Sequence, residues 1–167
     1  MRGVCRKTGL NPRYFYESFE DRDALLVALY DREAARLAVR IDAETSAARR
    51  SIRAQVRAGI GAVLGHLTED PRRTAVLVTG ARGNPLLAER RRRAKDGLVA
   101  SAARAGGGGD GSGAVRPAVA VAAAMFGGAM DDLAEAWTDH RLGDDLEAVI
   151  DHATDVSIAL FRRAGQG

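Results

Sequence analysis

Three histidines (His66, His140 and His152) and one cysteine (Cys5) are the side chains of this 167-residue sequence with the widest catalytic repertoire. Their spacing supports none of it. No His stands in an H-E-x-x-H pattern or next to a Cys at a metal-ligand interval, and no G-x-S-x-G presents a nucleophile. Asp131-Asp132 and Asp144-Asp145 flank helical stretches and read as caps or solvated charges. Cys5 falls on the core side of a short helical run, so it reads as packing rather than as a nucleophile. The glycines of Gly106–Gly113 lack the Gly-Lys-Ser/Thr and the preceding strand of a phosphate-binding loop. The expectation is no catalytic residue, no metal and no cofactor. A different chemistry is concentrated in GLNPRYFYESF, Gly9–Phe19, where Arg13, Tyr14, Tyr16 and Ser18 offer hydrogen bonds to a partner.

The elements that must present those groups can be read from local signals. Asn11 is a preferred N-cap and Pro12 is tolerated at the first helical position, so a helix starts there. Phe15 and Phe19, four residues apart, share one face that can pack inward, leaving Arg13, Tyr14, Glu17 and Ser18 on the other. Upstream, Arg2–Lys7 reads as a short helical run closed by Thr8-Gly9. A short helix, a glycine turn and a short helix with exposed Arg and Tyr is the sequence form of a helix-turn-helix, and equally of an ordinary helical hairpin at the edge of an all-α domain. Asp21 can cap one long helix to about Ala47, with Leu25, Leu26, Leu29, Leu37 and Ile41 at apolar positions. Ser51 can cap the next, which ends near Asp70-Pro71. The run AVLVT (75–79) reads as helix, Gly80–Pro85 as a loop and Leu86–Ala105 as a helix. Two further helices are expected, within Ala114–His140 and over Asp144–Arg163. Arg90–Arg93 read as a solvated helix face.

Composition agrees with an all-α chain. Hydrophobic residues make up 46% and charged residues 28%, which places it among globular rather than disordered chains. Ala and Leu, both strong helix formers, dominate the apolar set, and there are four prolines. The net charge of +3 is permissive for nucleic acid without requiring it. A single cysteine fits a reducing cytosol. The N-terminus does not read as a signal sequence, and no apolar run reaches ~18 residues, so no membrane partner and a cytoplasmic location are expected.

The 23 residues VCRKTGLNPRYFYESFEDRDALL resemble the DNA-binding signature of TetR-family (tetracycline-repressor-like) transcriptional regulators: an apolar pair, a-G-v-s-x-x-x-l-Y-x-x-F, a spacer and K/R-x-x-L-L. Gly9, Leu10, Asn11, Phe15, Tyr16, Phe19, Arg22, Leu25 and Leu26 occupy the corresponding positions. Two departures are Ser18, where the family often has His, and Arg22, where it often has Lys. The resemblance implies a partial helix-turn-helix head over residues 1–30 and a helical ligand-binding and dimerisation body over 31–167. The family also has a helix before the point where this sequence begins. A start assigned at an internal GUG codon, rather than a natural loss of the helix, is the expected reason for that difference. Without that helix, Val4, Leu10, Phe15 and Phe19 lose an apolar partner and the head is expected to bind DNA poorly.

What the resemblance implies for function is a repressor that binds a palindromic double-stranded DNA operator as a homodimer and answers to a small, largely apolar effector. Arg13 and Tyr14 fall at the end of the recognition helix that meets base edges. Arg13 is suited to a guanine, a pairing worth ~1–3 kcal/mol of discrimination. Tyr16 and Arg22 are placed to hold phosphates, with Thr8, Asn11, Pro12 and Ser18 adding backbone contacts. Leu64, His66, Leu77, Met125 and Met130 are the expected lining of the effector pocket. The contrasting expectation is a helical small-molecule-binding or dimeric scaffold protein without DNA activity.

Overall fold

The computed structural model of the chain describes residues 12–49, 51–105 and 116–165, and the regular elements among them are all helical. The fold is all-α. The expected run Arg2–Lys7 and the glycine-rich segment Gly106–Gly113 lie outside the described residues.

Helix α1 (Pro12–Ser18) starts at the expected proline. Helix α2 (Arg22–Ala47) follows after three residues, and Asp21 Oδ1 accepts a hydrogen bond from Ala24 N at 2.7 Å. Helix α3 (Ile52–Glu69) is capped by Ser51, whose Oγ accepts from Ala54 N at 3.1 Å. A side-chain cap of this kind is worth about 1 kcal/mol. Asp70 ends α3 in an extended conformation and caps α4 (Pro71–Thr74), accepting from Arg72 N at 3.0 Å. The boundary expected between head and body, after residue 30, falls inside the unbroken α2.

The segment after α4 departs from expectation. Residues 80–85 are not a loop. Ala75–Thr79 form a π-helical turn, and α5 (Gly80–Gly83) continues from it. The Gly80 amide donates to Ala75 O five residues back, and a Cβ on Gly80 would stand 2.7 Å from that oxygen. Glycine is what lets the carbonyl approach, so the residue that looks like a breaker instead continues the helix through a widened turn. Only Asn84 interrupts, extended at φ −134° and ψ 116°, as the residue before Pro85 prefers. Its Oδ1 accepts from Leu86 N at 2.9 Å, capping α6 (Pro85–Ala105). Then come α7 (Pro117–Thr138) and α8 (Leu146–Gly165), joined by a turn holding His140 and Gly143 at positive φ.

The core lies where α2, α3, the start of α6, α7, α8 and the π turn converge. Tyr30, Ile60, Leu64, Leu77, Leu87 and Ile150 form its buried centre. A second cluster joins α7 to the end of α8 through Val119, Ala122, Ala123 and Ala164, flanked by Leu160 and Phe161, whose ring centroid lies 5.7 Å from that of Phe126. On the surface between α3 and α8, Arg57 bonds Asp151 at 2.7 Å and Glu147 at 2.5 Å, and Arg53 bonds Asp155 at 2.6 Å.

Two more expectations need correction. The arginine run is not one solvated face. Arg90 reaches Asp31 on α2, and Arg91 donates to Val78 O at 3.0 Å and pairs with Asp131. Only Arg92 and Arg93 stay local, on Glu89. Four consecutive helical positions sweep around the axis, so two of them necessarily face neighbouring helices. Also, α7 is long and apolar enough, by length and composition, to cross a membrane, with a mean hydropathy of 1.2 over its best window. Here it packs on α3, α6 and α8, but only 28% of that window is buried.

Candidate functional site

Helix α1 carries the residues expected to meet DNA. Arg13 and Glu17 sit one turn apart, and the guanidinium donates from Nε to Glu17 Oε1 at 3.0 Å while the Arg13 side chain remains 82% exposed. Tyr16, on the same face, is 59% exposed, and Ser18 and Arg22 are exposed. The structure therefore brings Arg13, Tyr16 and Glu17 together on one surface, with Arg22 at the start of the next helix. Thr8 and Asn11 lie outside the described residues, as do the side chains of Pro12, Tyr14 and Phe15. The sequence reading had no signal for the Arg13–Glu17 pair beyond the i, i+4 interval. An exposed pair of this kind contributes about 0–1 kcal/mol, so it yields readily to a stronger anion such as a phosphate.

At its first turn α2 faces the segment that did not end at Gly80. The gap between them is an open cavity of about 670 Å3. One wall is the first turn of α2, with Arg22, Asp23 and Leu26. The other is built from the π turn and the junction of α5 and α6, with Val76, Thr79 and Leu87 among its residues. Asn84 spans the gap, donating from Nδ2 to Asp23 Oδ1 at 3.0 Å, while its own Oδ1 is held by the amides of Leu86 and Leu87. Among the described residues Arg22 forms no ion pair or hydrogen bond, unlike Arg13, Arg40, Arg57, Arg73, Arg90 and Arg91. The cavity is of ligand size and mixes apolar walls with a few polar groups.

The five residues expected to line an effector pocket do not line this cavity. Leu64 and Leu77 are in the filled core, 0% and 8% exposed, and Met130 packs against it. Met125 is 59% exposed on another face of α7. The periodicity identified apolar positions, but whether such a position faces a neighbour or solvent depends on how helices are arranged around it.

No protein-family model and no curated protein matches this chain. In fold it is similar to a solved structure of a protein with unknown function from Rhodococcus sp. RHA1, at 22% identity over 97% of this chain and 82% of that one, with a TM-score of 0.66. That likeness establishes the all-α architecture and says nothing of activity.

His66, the fifth of the expected lining residues, belongs to a buried polar cluster that sequence reasoning missed. It is 4% exposed, on α3, beside Glu33 of α2, itself 6% exposed. His66 Nε2 and Glu33 Oε2 stand 3.9 Å apart, and neither atom has a hydrogen-bond partner. Glu33 Oε1 accepts from Arg36 at 3.0 Å, so half of the carboxylate is satisfied. Arg73 closes the cluster from α4: its Nη1 donates to His66 O and to Glu69 Oε2, both at 2.9 Å, and its Nε lies 3.8 Å from Glu33 Oε2. Burial first, then the Arg73 charge, hold the His66 pKa below its ordinary value, against a smaller upward pull from Glu33. His66 is thus held neutral. At the edge of the cluster Arg40 bonds Glu69 at 2.6 Å and Glu44 at 2.7 Å, tying α2 to the end of α3. Among the described residues no group of three or more His, Cys, Asp or Glu is placed to hold a metal ion.

Proposed function

We propose that this chain is a ligand-responsive transcriptional regulator, a repressor of the TetR type, that binds a palindromic operator as a homodimer. The observation that carries the reading is the passage from α1 into α2. A short helix exposing Arg13, Tyr16 and Glu17 on one face leads, within three residues, into a 26-residue helix. The body end of that helix is fixed to α3 and α4 through Arg40, Glu33 and Arg73. A reader group on a stiff helix anchored in a separate core is the arrangement a two-state regulator needs, because a shift of the helix moves the reader. The resemblance over residues 4–26 supplies the direction of the inference.

The dimer reading is supported by the surface of the last two helices. Val121 and Met125 on α7 are each 59% exposed and Val156 on α8 is 72% exposed. A helix as apolar as α7 with so little of it covered is suited to a second copy of the same pair.

The test is selection from a random duplex library, with this chain and with the chain preceded by an amphipathic helix of the kind the family places there. The chain with the added helix is expected to enrich a palindrome with half-sites about one helical turn apart or slightly more, and the chain without it to bind poorly. Arg13→Ala then relaxes specificity at one base pair, roughly a 5- to 150-fold loss of discrimination. Tyr16→Phe weakens all sequences alike. If no palindrome is enriched, or if both substitutions leave affinity unchanged, the regulator reading fails and a scaffold role replaces it.

A further inference from the structure

We propose that the cavity between the first turn of α2 and the π turn is a binding site for an amphiphilic monocarboxylate, and that its occupant competes with DNA phosphate for Arg22. The inference deepens the regulator reading and rests on it for the second half only.

The chemistry of the walls selects the ligand. Leu26 and Val76, both half-buried, supply an apolar surface over the buried Leu87, and Leu86, although it lines the cavity, is still 53% exposed. An apolar body laid along them removes that surface from water, at about 25 cal/mol per Å2. The hydrogen-bonding groups at the mouth are unequally engaged. Asp23 accepts from Asn84, and the Asn84 carbonyl oxygen is filled by the two amides of α6. Arg22 is the one cation among the lining residues, with five N–H donors and no bond to any described residue, while its neighbour Asp23 keeps its charge with Oδ1 engaged by Asn84. A planar fork of donors at the lip of an apolar cavity matches a carboxylate, which it can bind through two parallel hydrogen bonds. A neutral amphiphile leaves the guanidinium unmatched. A cavity of this size takes a body of roughly eight to twelve carbons with room for water.

The site also has a mechanical position. Its walls are the head end of α2 and the segment that Gly80 keeps helical, bridged by the Asn84–Asp23 hydrogen bond. A ligand between them engages the same guanidinium that the resemblance assigns to a phosphate. Binding of ligand and of DNA is then mutually exclusive at Arg22, which gives a reciprocal coupling without movement of the core.

The experiment uses sodium decanoate and 1-decanol as probes, added below their self-association limits to the protein without DNA, with affinity read by calorimetry and by amide shifts in two-dimensional NMR. Decanoate is expected to shift amides of Leu26, Val76 and Thr79 and to bind at least 10-fold tighter than decanol. Arg22→Gln, at an exposed position, is expected to abolish that preference and leave decanol binding unchanged. Ala75→Trp, which projects from an exposed wall position into the cavity, is expected to abolish both. Shifts confined to the exposed α7 face around Met125, or decanoate binding indifferent to Arg22→Gln and Ala75→Trp, overturn the site. No binding of either probe also overturns it. If decanoate binds as expected but leaves the affinity for a selected operator unchanged, the competition with DNA is overturned and the site stands. If no operator exists, the regulator reading falls while the carboxylate site is judged on its own data.

Discussion

Replacing Arg73 by Met tests the account of the buried cluster, because two effects of opposite kind are expected from one change. At pH 8 the substitution removes the charged hydrogen bond to His66 O, 2.9 Å long, and the cation 3.8 Å from Glu33 Oε2. Arg73 is three-quarters buried, and a hydrogen bond to a charged group is worth about 1.5–3 kcal/mol. That corresponds to a fall in Tm of roughly 3–12 °C for a chain of this length. The second effect concerns acid. In the folded protein His66 takes up its proton at lower pH than the ordinary 6.5, whereas the unfolded chain protonates near that value. Between the two values the unfolded state binds more protons, so stability rises with pH and is lost as pH falls below about 6.5. Every unit of that difference is about 1.4 kcal/mol. Arg73 is the largest charge lowering the His66 pKa, so its removal brings the folded value back toward the unfolded one. The variant is therefore less stable at pH 8 but loses less on going from pH 7.5 to 5.5. Urea denaturation across that range, with the His66 ring signals followed by NMR, measures both. Glu69 also loses its Arg73 partner, but its titration lies below this window. An equal loss on acidification in wild type and variant, or a His66 that titrates at its ordinary value, refutes the reasoning.

Further outcomes follow from other contacts. Leu64→Ala, at a fully buried core position, is expected to cost about 2–5 kcal/mol in chemical denaturation, whereas Met125→Ala, on the exposed face, leaves monomer stability within about 0.5 kcal/mol. Sedimentation at micromolar concentration should give twice the chain mass, and Val156→Asp should reduce it to one; Ile150→Asp cannot serve, because Ile150 is 3% exposed within the subunit core and its substitution unfolds the protein. Gly80→Ala is expected to destabilise by roughly 1–3 kcal/mol despite the better helix propensity of alanine, since the new methyl meets Ala75 O at 2.7 Å; a stabilised variant in thermal melts would contradict the tight π turn.

What the sequence disclosed, it disclosed through chemistry that is local. Asp21, Ser51, Asp70-Pro71 and Asn84-Pro85 mark helix ends because a cap satisfies amides two or three residues away, and each lies where the fold has a boundary. The all-α class follows from the same signals together with the alanine and leucine content. The candidate site was harder to read. Glu33 looks like a surface residue in a helix rich in charge, and only the arrival of His66 and Arg73 from elements more than thirty residues away encloses it. Gly80 carries the outward sign of a turn, but its lack of a side chain is what keeps the helix going. Met125 and Leu64 have the same apolar character in the sequence and opposite fates in the fold. The cavity at Arg22 needed the course of residues 75–87 in three dimensions, which no periodicity specifies.

The unbroken run of α2 gives the protein a lever. At 1.5 Å per residue its 26 residues span about 39 Å, and the contacts of Arg40 with Glu69 and Glu44 act near its body end as a fulcrum. A tilt of about 5° at that fulcrum, of the size that small shear between packed helices produces, carries Arg22, about 27 Å away, through roughly 2.4 Å. In the proposed two-fold pair the displacements of the two ends would add, to about a seventh of the ~34 Å that separates half-sites one turn apart. Tyr30 in the core and the bonds of Asp31 to Arg90 and of Asp23 to Asn84 hold the far half of the helix to the body, so these contacts, as much as the stiffness of α2, set how much of a tilt arrives at Arg22.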